Sequence, residues 1–332
     1  MLDVLEVTLP IFGLVFCGFF GQRLRLVPEA GVDALNRFVF HFALPAMLFR
    51  AIAVQPAAAY ANVSFLGAWV LASLCSYFLA RTLAQRALHR GPMSATVMAM
   101  NVTHPNVGYI GLPLALELGR EHVPIMVMAV IGDMFVVVVM SIVLLEFDSR
   151  KADRRILEEV RKAGFASGTS LDGSIALTVL QGLARSPIVV AALLGLVWSV
   201  MALPIPTLLD NFSRLLGGAA APVALFAIGA SIGRTSLRLD ATSAGMVGWK
   251  LLVHPLIAAL VLLSMPGIAP EVWAMGVVAA CLPSASNTFI IGNRYGVSTG
   301  GVAQSIVAGS LLAIVTVSLA VWATGLHQAP GA

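Results

Sequence analysis

Two interruptions in otherwise apolar stretches carry the chemistry of this chain. The first reads Asn101-Val-Thr103-His104-Pro105-Asn106-Val-Gly108-Tyr109-Ile-Gly111-Leu-Pro113, and the second reads Cys281-Leu-Pro283-Ser284-Ala-Ser286-Asn287-Thr288. A proline inside a helix removes one backbone donor and clashes with the preceding turn, so carbonyls near Asn101 and Val102 lose their partners. A helix reopened in this way presents a fresh N-terminus with free amides and partial positive charge, which suits an anionic group. Its opened C-terminal end offers carbonyls to cations or hydroxyls. Asn106 and Asn287, with Ser284, Ser286 and Thr288, stand just after each break as uncharged donors, and Asn101 and Tyr109 flank the first break. Such a set of uncharged donors suits an anionic ligand. The alternative is a pair of proline kinks whose polar neighbours heal the backbone.

A few ionisable groups accompany the breaks. Asp133 falls in the middle of an apolar segment, where a charge costs at least roughly 2.5–3.5 kcal/mol. It is either a protonation or cation site coupled to the breaks, or a carboxylate hydrogen-bonded to the backbone that Pro105 opens. Lys250, with His254 one turn further on, either snorkels to the membrane surface, the reading favoured by its depth, or pairs with Asp133. His104 directly precedes Pro105, where a lone histidine serves more often as a hydrogen-bond plug than as a proton carrier. Asp33/Arg37 and Asp210/Arg214 are spaced as local i, i+4 pairs at helix starts.

The elements that position these residues are membrane helices. With 59% apolar and 11% charged residues and a mean hydropathy of +0.93, the chain has too little polar surface to face water. Apolar runs of membrane-spanning length occupy Val4 to Phe20, Asp33 to Ala53, Phe65 to Ala84, Ser94 to Leu118 and Pro124 to Leu145, then Pro187 to Leu203, Leu208 to Ile232, Gly245 to Met265, Val272 to Gly292 and Val302 to Gly325. The first of these reads as a retained span, because Asp3 and Glu6 stand where a secretory leader would carry Lys or Arg. Pro10, Gly18, Asp33, Arg37 and Pro45 recur as Pro187, Gly195, Asp210, Arg214 and Pro222 at one constant offset, and Pro105 recurs one residue later as Pro283. The expected fold is therefore all-α and integral to the membrane. It has ten transmembrane helices in two inverted five-helix repeats, residues 1–145 and 174–332, joined by a cytoplasmic linker over 146–173. An odd number of crossings inverts the second copy, an architecture of secondary transporters, and brings the broken fourth and ninth helices together near the bilayer centre. Fifteen of the 20 Lys and Arg residues fall on, or within four residues of, the loops after odd-numbered segments and two on, or within four residues of, the opposite loops, so both termini are expected outside.

The span-four motif Asn106-Val-Gly108-Tyr109-Ile-Gly111-Leu-Pro113 supplies the most specific likeness. With Pro283-Ser-Ala-Ser-Asn287, Tyr295-Gly296 and the Ser310-Leu-Leu stretch, it resembles the auxin efflux carrier family over essentially the whole chain. The resemblance implies a scaffold of spans 1, 2, 6 and 7 and a mobile transport domain of spans 3–5 and 8–10 that moves in elevator fashion around the crossed helices. It implies organic-anion cargo, auxin in plant members and malonate- or malate-like acids in some bacterial ones. The family's carboxylate-binding asparagines fall on Asn106 and Asn287. Dimerisation through the scaffold and residence in the bacterial inner membrane follow from the same likeness.

Other classes have less support. Gly229-Ala-Ser231-Ile-Gly233 fits the nucleophile-elbow pattern but ends an apolar helix, where small residues favour close packing. No nucleotide-binding or metalloprotease motif is present, and no cofactor, metal or nucleic acid is expected. Cys17, Cys75 and Cys281 lie far apart in apolar runs and read as packing residues. A sodium-coupled symporter of the bile-acid type shares the broken-helix plan, leaving proton or sodium coupling open. A sensor that binds an acid without moving it would need only the site, and the absence of an evident output domain favours transport over it.

Overall fold

The computed structural model describes residues 2–149, 187–234 and 239–326. Most of the expected linker, with its Arg154/Glu158 and Arg155/Glu159 spacings, lies outside them. The described chain is helical, as α1 (Leu2–Arg23), α2 (Glu29–Ala53), α3 (Val63–Arg86), α4 (Pro92–Thr103), α5 (Val107–Leu118), α6 (Arg120–Ser149) and α7 (Pro187–Val200). It continues as α8 (Thr207–Gly218), α9 (Ala220–Arg234), α10 (Ala241–Ser264), α11 (Pro270–Cys281), α12 (Asn287–Arg294) and α13 (Gly300–Thr324). Among the described residues, six helical stretches are long and apolar enough to cross a bilayer: α2, α3, α6, the α8–α9 stretch over Thr207–Ser231, α10 and α13. The chain is a multi-pass membrane protein.

Prolines shape these helices in a regular way. Pro45, Pro113 and Pro255 each follow a widened π-turn, at Val39–Ala43, Val107–Gly111 and Trp249–Val253. Proline lacks the amide and crowds the carbonyl four residues back, and one extra residue in the preceding turn absorbs both defects without ending the helix. A fourth π-turn, Asp133–Val138, has no such proline and begins at the buried carboxylate. Pro105 and Pro283 are not absorbed: at these two positions the helices stop.

The helices of the two halves pack reciprocally. α1 lies along α9, and α7 lies along the second half of α2. Both contacts depend on missing side chains, since a Cβ at Gly18 would fall on the Phe226 carbonyl and one at Gly229 on the Val15 carbonyl. The Gly229-to-Gly233 pattern is therefore part of a helix in backbone contact with α1, and Ser231 Oγ donates to the Ala227 carbonyl of its own helix at 2.8 Å. Gly195 packs in the same manner on the Phe49 carbonyl, 2.9 Å from its would-be Cβ.

The local Asp210/Arg214 pair expected from spacing gives way to a longer-range one. Arg50 Nε meets Asp210 Oδ1 at 2.7 Å, tying α2 to α8, while Arg214 donates to Asn211 at 3.3 Å. A partner on a neighbouring helix can set two donors, Nε and Nη2, against both oxygens of Asp210, whereas Arg214 must curl along its own helix.

Because α1 and α9 touch backbone to backbone, Gly18→Val or Gly229→Val should destabilise the fold by about 1–3 kcal/mol or more. Gly13→Ala, with open space at its Cβ, should be tolerated. Thermal unfolding of the detergent-purified variants measures the difference.

Candidate functional site

The two breaks meet. α4 ends at Thr103 because residue 105 cannot donate, and His104 turns to extended backbone at φ −83°, ψ 102°. α11 ends at Cys281, and Leu282 is likewise extended at φ −61°, ψ 148°. The freed strands pair as a single antiparallel bridge between Pro105 and Ser284. The amide of Asn106 donates to the Pro283 carbonyl at 2.8 Å, and the amide of Ala285 donates to the His104 carbonyl at 3.0 Å. Each interruption thus supplies the backbone partner that the other has lost, as irregular backbone in a hydrocarbon layer requires. Among the described residues this is the one isolated pairing of extended backbone in a helical chain.

Helix resumes immediately beyond the bridge on both sides. α5 starts at Val107 with Asn106 as its cap, whose Oδ1 accepts from the Tyr109 amide at 3.4 Å. Asn106 is 7% exposed, and its Nδ2 is the group left to donate. α12 starts at Asn287; the side chain of that residue lies outside the described set. Two half-helix N-termini therefore leave one point, and their amides and dipoles favour negative charge there.

The remaining expected residues are distributed around this point. Ser284 is buried in the bridge, Ser286 is exposed, and Thr288 is buried with an unpartnered hydroxyl. Tyr109 is half-buried in the first turn of α5. Asn101, one turn before the break, points its Nδ2 to Ser305 Oγ on α13 at 2.8 Å and leaves its Oδ1 unpartnered. The Thr103 hydroxyl is unpartnered too. Buried polar atoms without partners are rare in folded proteins and call for an explanation at each place. Here they cluster in sequence on both sides of the breaks.

The charges take positions that spacing did not reveal. Asp133 is fully buried, and its Oδ1 accepts from Trp69 Nε1 at 3.1 Å and Ser73 Oγ at 3.5 Å. Its partners are thus side chains of α3, one helical turn apart, rather than the opened backbone of the fourth segment. His104 Nδ1 lies 3.7 Å from the other carboxylate oxygen. Lys250 does not snorkel: it is 1% exposed and its Nζ donates to the Ala280 carbonyl at 2.9 Å, at the opened C-terminal end of α11. A cation there complements the negative end of that helix. Trp69, Ser73 and Ser305 escaped sequence reasoning. The i, i+4 spacing of Trp69 and Ser73 on an apolar helix was the available signal.

An apolar pocket lined by Ile131, Met134, Leu193 and Leu196, among others, lies between α6 and α7. It offers no polar group to an anion.

A family model described as membrane transport protein matches residues 3–322. The chain belongs to this family, that of the auxin efflux carriers. It is 27% identical over 320 residues to a proposed malonate transporter of Rhizobium meliloti (strain 1021), covering 96% of this chain and 95% of that protein. It is 25% identical over 321 residues to the uncharacterized transporter YfdV of Escherichia coli (strain K12), covering 96% of each. It is 22% identical over 345 residues to auxin efflux carrier component 5 of Arabidopsis thaliana, covering 94% of this chain and 93% of the plant protein. The break residues sit inside the matched region of this transporter family.

Ala285→Pro removes the amide that satisfies the His104 carbonyl. It should lower stability by about 1–3 kcal/mol through the unpaired acceptor alone, whereas Ala285→Gly keeps the donor and should lose less. Thermal unfolding of the two variants in the same detergent separates them.

Proposed function

We propose that this chain is an alternating-access carrier of small organic anions, with malonate- and malate-like carboxylates first among them and auxin-like acids next. The observation that carries the reading is the paired break, in which Asn106 bonds to Pro283 and Ala285 to His104. It supports a seat where two half-helix N-termini and neutral amides receive a carboxylate. Asn106 and Asn287 are the principal donors, with Ser284, Ser286, Tyr109 and Asn101 lining the approach, and the chain acts as a transporter rather than an enzyme. The R. meliloti relative's name supports malonate as the first acid to try.

The same reading takes α4 with α5, and α11 with α12, as the fourth and ninth of ten crossings. The repeats then run over 1–145 and 174–332, inverted, with residues 146–173 as the cytoplasmic linker. The reciprocal packing of α1 on α9 and α7 on α2 supports a scaffold of spans 1, 2, 6 and 7. The helices around the breaks form the part that moves in elevator fashion. Both termini lie on the periplasmic face of a bacterial inner membrane, and two copies associate through their scaffolds.

Reconstituted vesicles with labelled malonate, malate and indole-3-acetate test the reading. Loss of one hydrogen bond to a charged group is worth about 1.5–3 kcal/mol, so Asn106→Ala or Asn287→Ala should weaken binding of the transported acid roughly 10- to 100-fold while the protein stays folded. Wild-type rates in both variants would remove the seat from the breaks. Failure of every acid to enter wild-type vesicles would remove the cargo class.

A further inference from the structure

Asp133 is buried and half satisfied. Trp69 and Ser73 donate to its Oδ1, and its Oδ2 has no hydrogen-bond donor. His104 faces that oxygen with Nδ1 at 3.7 Å, its side chain 4% exposed and neither of its ring nitrogens hydrogen-bonded. Two orphaned polar groups left facing each other away from water are costly, and the gap between them is slightly too long for a hydrogen bond. A neutral ring with its hydrogen on Nδ1 supplies the missing bond but leaves the buried carboxylate charged. One added proton supplies the bond and cancels that charge as well: with both ring nitrogens protonated an imidazolium faces the carboxylate, and with the proton on Oδ2 a neutral acid donates to the ring.

Most polar groups around the pair are committed elsewhere; His254, whose two ring nitrogens are buried without partners as well, faces Trp69 rather than the carboxylate. From α3, Trp69 and Ser73 already donate to Oδ1, while Tyr77 and Arg81 turn away to Ser141, Thr96 and Asp148. From α10, Lys250 lies within electrostatic reach of Asp133 but commits its Nζ to Ala280, and His254 sets its ring edge-on to Trp69 at 6.3 Å. Cys281 of α11 lies within the same reach of Lys250. The pair is also wired to the breaks. The His104 carbonyl accepts from Ala285, and Pro105 and Asn106 follow directly, so closing the 3.7 Å gap pulls on the peptide that joins the two interruptions.

We propose that His104 and Asp133 form a proton-binding site linked to the anion seat at the paired breaks, so that the carrier takes up a proton together with its substrate. A proton raises the charge of this cluster by one and a carboxylate lowers it by one, so each favours the other's binding, and by linkage the effect is reciprocal. The choice of substrate rests on the transport reading above; the proton site itself rests on the geometry of the two side chains.

Two measurements on the full chain separate the readings. Infrared difference spectra between pH 8 and pH 5, on protein in liposomes without substrate, should contain imidazole or carboxyl protonation bands that His104→Gln and Asp133→Asn each remove. Bands unchanged in both variants overturn the proposal. In weakly buffered nanodiscs at pH 8 with an indicator dye, adding malonate to the wild type should draw protons from the medium, and by reciprocity affinity should rise on acidification. Malonate binding without proton uptake by the wild type overturns the proposal whether or not either variant folds. Absence of malonate binding with the infrared bands intact counts against malonate as cargo and leaves the proton site standing.

Discussion

A backbone opened inside a hydrocarbon layer must find its hydrogen bonds within the protein, and this chain opens its backbone twice. Pro105 and Pro283 each stop a helix, and the two-bond bridge across them repairs both stops at once. Each unsatisfied backbone group in a bilayer costs several kcal/mol, so neither break is stable without the other. That mutual dependence fixes where α4, α5, α11 and α12 meet. It also explains why polar side chains collect there: a point that already holds irregular backbone is the one place where further polar groups add little to the desolvation cost.

The charged residues follow from the same constraint. Lys250 satisfies the carbonyl of Ala280, which the end of α11 exposes, and Asp133 takes its donors from α3 while facing His104 at the other break. A cation at one opened helix end and a carboxylate beside the other are local answers to local deficits. Around them the reciprocal glycine contacts of α1 with α9 and α7 with α2 hold four helices at backbone distance. Close packing of that kind resists sliding, in contrast to a pair of broken helices joined by only two backbone bonds. The proposed division into a rigid and a moving part draws on this difference in how the helices touch.

Much of this was legible in local sequence. Pro105 and Pro283, each followed by small polar residues in an apolar segment, mark the breaks directly, because proline acts on the turn beside it. The glycines at 18, 195, 229 and 233 mark close packing for a similar reason. What was not legible is pairing across long separations. Arg50 finds Asp210 on another helix instead of leaving Asp210 to Arg214, and Lys250 reaches inward to Ala280 although its depth would allow escape to the surface. Asp133 stood out as a buried charge, but nothing in its neighbourhood names Trp69, which precedes it by 64 residues. Periodicity places a residue on a face; only the packing of helices decides which other face it meets.

The central claim is that the two interruptions bond to each other, and disulfide trapping tests it most directly. His104 and Ala285 stand opposite each other beside the Pro105–Ser284 bridge, joined by the Ala285 amide, in a hydrogen-bonded position for which Cα atoms stand about 5.5 Å apart, within the range a disulfide spans. In a chain that keeps both prolines and whose three native cysteines are replaced, His104→Cys with Ala285→Cys should cross-link nearly completely on mild oxidation in the membrane. Two thiols that both remain free in folded, monodisperse protein would contradict the account.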